Sequence, residues 1–115
     1  MVNAGDTQTL RFYDDPLCTL TILKRDAVTK KPLAKAEFLV RDSSGKVIGP
    51  DNGIYTTGTD GTVTVTGLEP NATIVVSEYK APTGYVKDET PKNIVVRTGV
   101  ANTLIFDDEP SGKHS

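Results

Sequence analysis

A chain of 115 residues has room for one domain around one core and excludes two. Charged residues make up 24%, hydrophobic residues 37%, and the net charge is −2. That globular balance has no basic stripe, so neither nucleic acid nor an anionic membrane is expected as a partner.

Abundant Thr and Val, ten Gly and seven Pro point to an all-β protein. Short strands are expected near 8-13, 18-25, 36-42, 46-49, 54-57, 62-66, 73-79, 92-97 and 102-107, with turn signals between them and no convincing helix. Ser44-Gly45, Asn52-Gly53 and Asp60-Gly61 supply residues that tolerate positive φ. The run Thr62-Val63-Thr64-Val65-Thr66 after Asp60-Gly61 alternates as a half-buried hairpin strand does. Short strands at this spacing predict a β-sandwich. Residues 1 to 7 and the tail 111 to 115, which holds the only histidine, are expected to be mobile, and His114 is given no role.

Cys18 is the only cysteine, so no internal disulfide can form, and nothing near it has metal-ligand spacing. It reads as a small buried filler. Asp51, Asn52 and Asp60 do not give an oxygen cage and read as turn formers, so neither a metal nor a cofactor is expected. The sequence carries no signal peptide, transmembrane run or sorting motif, which fits a cytosolic protein or a piece of a larger exported one. In the second case a small β-domain without disulfides raises the prior for another covalent staple.

A repeat organises the chain. Thr9-Leu10-x-Phe12-x-Asp14-x-Pro16 returns as Thr103-Leu104-x-Phe106-x-Asp108-x-Pro110 at one constant offset. Two strands could share Thr, Leu and Phe by chance, but Asp and Pro at fixed positions favour a tandem array. Residues 1-16 are then the end strand of a preceding repeat with its linker, 17-110 the complete module, and 111-115 a tail. Neighbouring repeats of the same polypeptide are the expected partners, and the module itself is expected to be a monomer.

Three strands end alike: Leu20-x-Ile22-x-Lys24, Ile74-x-Val76-x-Glu78 and Leu104-x-Phe106-x-Asp108. Side chains alternate faces along a strand, so if each apolar pair faces the core, Lys24, Glu78 and Asp108 face it too. Burial together favours the uncharged forms of an amine and of carboxyls, which are the forms that condense to an amide. Two readings remain open on these residues alone: a buried ion pair, or an amide between Lys24 and Asp108 with Glu78 as acid and base.

At these residues the sequence resembles the Cna B-type domains of Gram-positive surface adhesins and pilins, the collagen-adhesin B repeats and SpaA-like pilin domains. The match covers nearly all of 17 to 110. Its landmarks are Lys24-x-Asp26, the run Thr29 to Phe38, Thr57-x-x-Asp60-Gly61, Gly67-Leu68 and, most specific, Glu78-Tyr79-Lys80-Ala81-Pro82-Thr83-Gly84-Tyr85. Two departures stand out, Lys35 where Gly is usual and Asn71 with one extra residue before the glutamate strand.

The resemblance implies an Ig-like or prealbumin-like sandwich with first and last strands side by side. It also implies a bond from Lys24 to an Asn or Asp near the end of the last strand, with Glu78 as the catalyst. Parity and the alignment with Asp14 select Asp108 over its neighbour Asp107. The implied function is a stalk or spacer repeat of a surface adhesin or pilus-like protein, extracellular and anchored to the cell wall through its parent. A rival is an adhesive module that binds a host protein or glycan through loops such as 43 to 61. A multiple-turnover enzyme is not expected, since one His and one Cys at unrelated sites give no nucleophile and base. Thr90-Pro91-Lys92-Asn93 is expected to be a surface turn, and Tyr85 to pack over its own turn with its hydroxyl on backbone. The strand 9-15 could also exchange between molecules and offer Asp14 to a neighbour's Lys24.

Overall fold

The structure, a computed structural model, describes residues 17 to 111. The expected strand at 8-13, its exchange between molecules and the tail with His114 all lie outside the described residues.

Seven strands form among the described residues: β1 (Cys18–Asp26), β2 (Glu37–Asp42), β3 (Ile54–Thr56), β4 (Thr62–Leu68), β5 (Thr73–Lys80), β6 (Lys92–Val95) and β7 (Asn102–Asp108). They make a three-stranded sheet in the order β4-β1-β7 and a four-stranded sheet in the order β3-β2-β5-β6. The all-β sandwich is therefore observed. β1 and β7 run parallel and in register, with Leu20 opposite Asn102 and Asp26 opposite Asp108, so the first and last described strands are neighbours.

Alternation builds the core. Along β1, Leu20, Ile22, Lys24 and Asp26 are buried while the residues between them are partly exposed. Val65, Leu68 and Phe106 complete the inner face of that sheet, and Phe38, Val40, Ile74 and Val76 supply the other. The rings of Phe38 and Phe106 meet across the sandwich at 4.8 Å and 49°. Such tilted pairs add about 0.5–1.5 kcal/mol beyond the area they bury. Cys18 is buried in this cluster, as expected of a filler.

Two expected elements differ. The segment 46-49 holds only one bridge, Val47 to Arg41, because the chain turns at Gly45 and Gly49, both at positive φ, and has no length left for a ladder. Lys92 and Asn93 do not belong to the surface turn expected of 90-93; they open β6 opposite Val76 and Val75, where the strand expected at 92-97 begins, and β6 ends at Val95. The Lys92 ammonium donates to the Ile105 carbonyl at 2.6 Å and lies 5.1 Å from the Phe106 ring centroid, tying β6 to β7 across the two sheets. The cation over the ring accounts for a lysine at this seam.

Backbone conformation explains the departures from the family pattern. Lys35 (φ 67°) and Asn71 (φ 68°) both occupy the left-handed region, where a Cβ is crowded and Gly sits freely. Gly61 (φ +77°) is held more tightly, since a Cβ there would meet the Leu33 nitrogen at 2.9 Å. Its carbonyl accepts the Lys24 N–H at 2.8 Å, and the Lys24 carbonyl accepts from Leu33 at 2.8 Å, so the loops around β1 fix the Lys24 backbone on both sides.

The end of β1 is locked as well. Asp26 Oδ1 accepts from Val28 N at 2.7 Å and Thr29 N at 2.9 Å, while Oδ2 accepts from the Tyr85 hydroxyl at 2.7 Å. The Tyr85 hydroxyl thus reaches a side chain on another strand, not the backbone of its own turn. Tyr85 also bridges Pro110, and Ser111 N donates to Gly84 O at 2.8 Å, which pins the 82–85 corner to the segment that follows β7. The hydrogen bonds from Thr29, Tyr85 and Val28 hold the Asp26 carboxyl below the usual carboxylate range.

Two outcomes follow. Lys35→Gly should raise stability, by less than about 1 kcal/mol because relief of the left-handed strain is partly offset by a more flexible unfolded chain, whereas Lys35→Val should lower it; denaturant titration reads both. Tyr85→Phe should lower the melting temperature at neutral pH. Asp26, depressed in the folded state, contributes stability above its unfolded pKa of 3.8 and loses it as pH falls. The gap between Tyr85→Phe and the parent should therefore narrow in acid, and a gap that stays constant there would contradict this assignment.

Candidate functional site

Lys24, Glu78 and Asp108 occupy inward positions at or within two residues of the ends of three strands, and the fold brings all three together. Lys24 comes from β1, Asp108 from β7 beside it, and Glu78 from β5 on the facing sheet. Phe106 is the register partner of Lys24, and Phe38 that of Glu78, so the tilted Phe pair flanks the cluster. All three side chains are fully shielded from solvent. The Lys24 Nζ lies 3.0 Å from Glu78 Oε2 and in contact with Asp108 Oδ1.

These contacts are close but not aligned as hydrogen bonds. Among the described residues, Lys24 Nζ, Glu78 Oε2 and both carboxyl oxygens of Asp108 make no hydrogen bond of acceptable angle. Unsatisfied polar atoms packed this tightly are costly in an ordinary core. Burial, then the neighbouring Glu78 carboxyl, raise the Asp108 pKa against the lowering pull of Lys24, to about 7. Near neutral pH the Asp108 carboxyl is therefore readily protonated where it meets the Lys24 side chain.

Backbone contacts hold the three groups in place. The Asp108 carbonyl accepts from Ala27 N at 2.8 Å, fixing the end of β7 to β1. Buried Asn102 sets the other end of β7, donating to Thr19 O at 3.0 Å and Arg97 O at 3.1 Å. Glu78 Oε1 accepts from the Asp88 N–H at 2.7 Å.

Asp107 faces the other way. It pairs with Arg25 through Nε at 2.9 Å and the second guanidinium nitrogen at 3.1 Å, and with Lys30 at 3.1 Å. The Arg25 fork, with Lys30, holds its carboxyl below the usual range, so it stays an outward-facing carboxylate.

The loop region 43 to 61 is internally braced. Asp42 Oδ1 accepts from Ser44 N at 2.9 Å and Lys46 N at 3.1 Å, and the Tyr55 hydroxyl donates to the Ile48 carbonyl at 3.1 Å. Asp60 Oδ1 accepts from Thr62 N at 3.0 Å and its hydroxyl at 2.8 Å, the turn-forming role expected of it.

Reading the sequence missed two contributors to the site. Asp26 shares the parity of Lys24, and that signal was available. The Asp88 N–H was not, because a backbone donor leaves no mark on residue identity.

Comparison with known proteins agrees with this architecture. No curated protein sequence matches the chain. Among solved structures, the group B streptococcus pilus 2b backbone protein superposes with a TM-score of 0.74 at 24% identity, covering 91% of this chain and 44% of that one. A minor pilin of Streptococcus agalactiae gives 0.73 at 20% identity, covering 96% of this chain and 51% of the pilin. The C-terminal domain of the shaft pilin SpaA from Lactobacillus rhamnosus GG gives 0.65 at 21%, covering 84% of this chain and 99% of that domain. The chain thus spans about half the length of the first two pilins or less. Residues 18–110 match the SpaA prealbumin-like fold domain. The chain belongs to that family of prealbumin-like domains, as its resemblance to Cna B-type and SpaA-like pilin domains implied.

Proposed function

We propose that Lys24 and Asp108 join through a side-chain amide, that Glu78 moves the protons, and that the module is a stalk or spacer repeat of an extracellular, wall-anchored surface protein. The observation that carries this reading is the shielded Lys24 amine in contact with Asp108 and 3.0 Å from Glu78. The reaction starts from one ammonium and carboxyls that share protons. Moving a proton from Lys24 to a carboxylate leaves an amine with a free lone pair and a carboxylic acid. The amine attacks the Asp108 carboxyl carbon, Glu78 gives its proton to the departing hydroxyl and takes the amine's surplus proton in return, and one water leaves. A new C–N bond replaces a C–O bond, Glu78 returns to its starting state, and the chain reacts once. Condensation is unfavourable in open water; held contact and a dry pocket offset that.

The strand geometry supports the mechanical role. β1 and β7 run parallel and in register, so tension enters at the start of β1 and leaves at the far end of β7. Without a bond, the two strands shear apart. With it, force passes along β1 to Lys24, across the amide to Asp108 and out, leaving the intervening strands unloaded. The bond would also close a long loop, worth about 4 to 5 kcal/mol on the chain-entropy estimate used for disulfides. It would need no oxidising surroundings, which suits a chain whose sole cysteine is buried.

The reading predicts that the purified protein is lighter than its sequence by one water. Lys24→Ala and Glu78→Ala should restore the full mass and lower the melting temperature by on the order of 20 °C. An unshifted parent mass removes the covalent part of the reading.

A further inference from the structure

We propose that the loop from Val86 to Thr90 belongs to the bond-forming apparatus, with the Asp88 backbone N–H selecting which oxygen of Glu78 carries the proton. This inference rests on the bond proposed above and concerns a group outside the triad. The Asp88 N–H lies 2.7 Å from Glu78 Oε1, while Oε2 lies 3.0 Å from the Lys24 Nζ. A peptide N–H can only donate, and the carbonyl oxygen of a carboxylic acid accepts better than its hydroxyl oxygen. Whenever Glu78 carries a proton, the Asp88 contact therefore favours it on Oε2, the oxygen that faces the Lys24 Nζ and has no hydrogen-bond partner among the described residues. Asp88 acts through Glu78 and is a positioning residue.

The loop is anchored where it can sense the end of β7. Val86 N donates to Glu109 O at 2.9 Å, one residue beyond Asp108, and Asp88 Oδ1 accepts from Thr90 N at 2.9 Å. The loop thus reaches Glu78 with one residue and the end of β7 with another. Glu78 is oriented only once β7 has docked, so the catalyst is completed by arrival of the strand that carries the bonding carboxyl. The same loop walls a cavity of about 230 Å³ against Asp107, Asp108 and Glu109. That space is large enough to receive the departing water.

The test compares Asp88→Pro, which removes the N–H, with Asp88→Asn, which keeps both the N–H and a side-chain oxygen for Thr90 N. Intact mass is followed against time after cell-free synthesis. Asp88→Pro should lose water roughly three- to tenfold more slowly than Asp88→Asn, as expected for loss of one hydrogen bond to a carboxyl. A folded Asp88→Pro protein that links at the Asp88→Asn rate overturns the proposal. Hydrogen exchange in the unlinked Lys24→Ala background gives a second arm that does not need the proline variant to fold. There, adding Glu78→Ala should speed exchange at the Asp88 amide at least about tenfold while the Val86 amide, bonded to Glu109, keeps its rate. Equal exchange at Asp88 with and without Glu78 overturns the proposal. A parent protein that never loses water refutes the bond itself, a failure distinct from either of these, and the exchange arm still decides whether Asp88 holds Glu78.

Discussion

A lysine amine removed from water must be answered by its neighbours, and the answer here is two carboxyls delivered by two other strands. Leaving such an amine unpaired would be strongly destabilising. The rest of the architecture meets that demand. β7 must lie beside β1 in parallel register for Asp108 to arrive, β5 must face them for Glu78 to arrive, and a flanking pair of phenylalanines keeps the cluster dry. A buried ion pair is weak support for stability, because desolvation consumes most of its attraction. Condensation to an amide removes both charges and replaces them with one neutral group, which resolves the difficulty that burial creates.

The position of the proposed bond suits the topology. The two strands on which a pulled module would depend are parallel neighbours, and the Lys24–Asp108 link sits close to the exit end of β7. The seam between the sheets is closed by a different device, the Lys92 ammonium on the Ile105 carbonyl and the Phe106 ring. The Asp26–Tyr85 bond clamps the end of β1 to the corner that follows β5. Together these two contacts brace the strands that carry Lys24 and Asp108.

Much of this was legible in the sequence because strand periodicity is a strict rule. An apolar pair two residues apart, followed at the same spacing by an ionisable residue, placed Lys24, Glu78 and Asp108 on inner faces, and burial is as that pattern requires. The same rule separates Asp108 from Asp107, whose side chain goes outward to Arg25 and Lys30. Less legible were features that depend on backbone geometry. Lys35 and Asn71 adopt positive φ in places where their identities give weak warning, and 46-49 looked like a strand because its apolar residues do not reveal how little chain lies between two glycine turns. Lys92 read both as the end of a turn, because Thr90-Pro91 precedes it, and as the start of a strand, and its contact with an aromatic ring and a carbonyl on β7 lay too far away in sequence to be seen. Asp88 contributes through its backbone, which the letter D does not report.

The central claim is that one covalent bond joins two named atoms, and fragmentation of the tryptic peptides tests it most directly. Trypsin should fail to cut after Lys24, and a branched species should join the 12–25 peptide to the 98–113 peptide with the loss of one water, its branch on the Asp108 side chain. Linear peptides of full mass, with cleavage after Lys24, would contradict the account, as would a branch carried by Asp107.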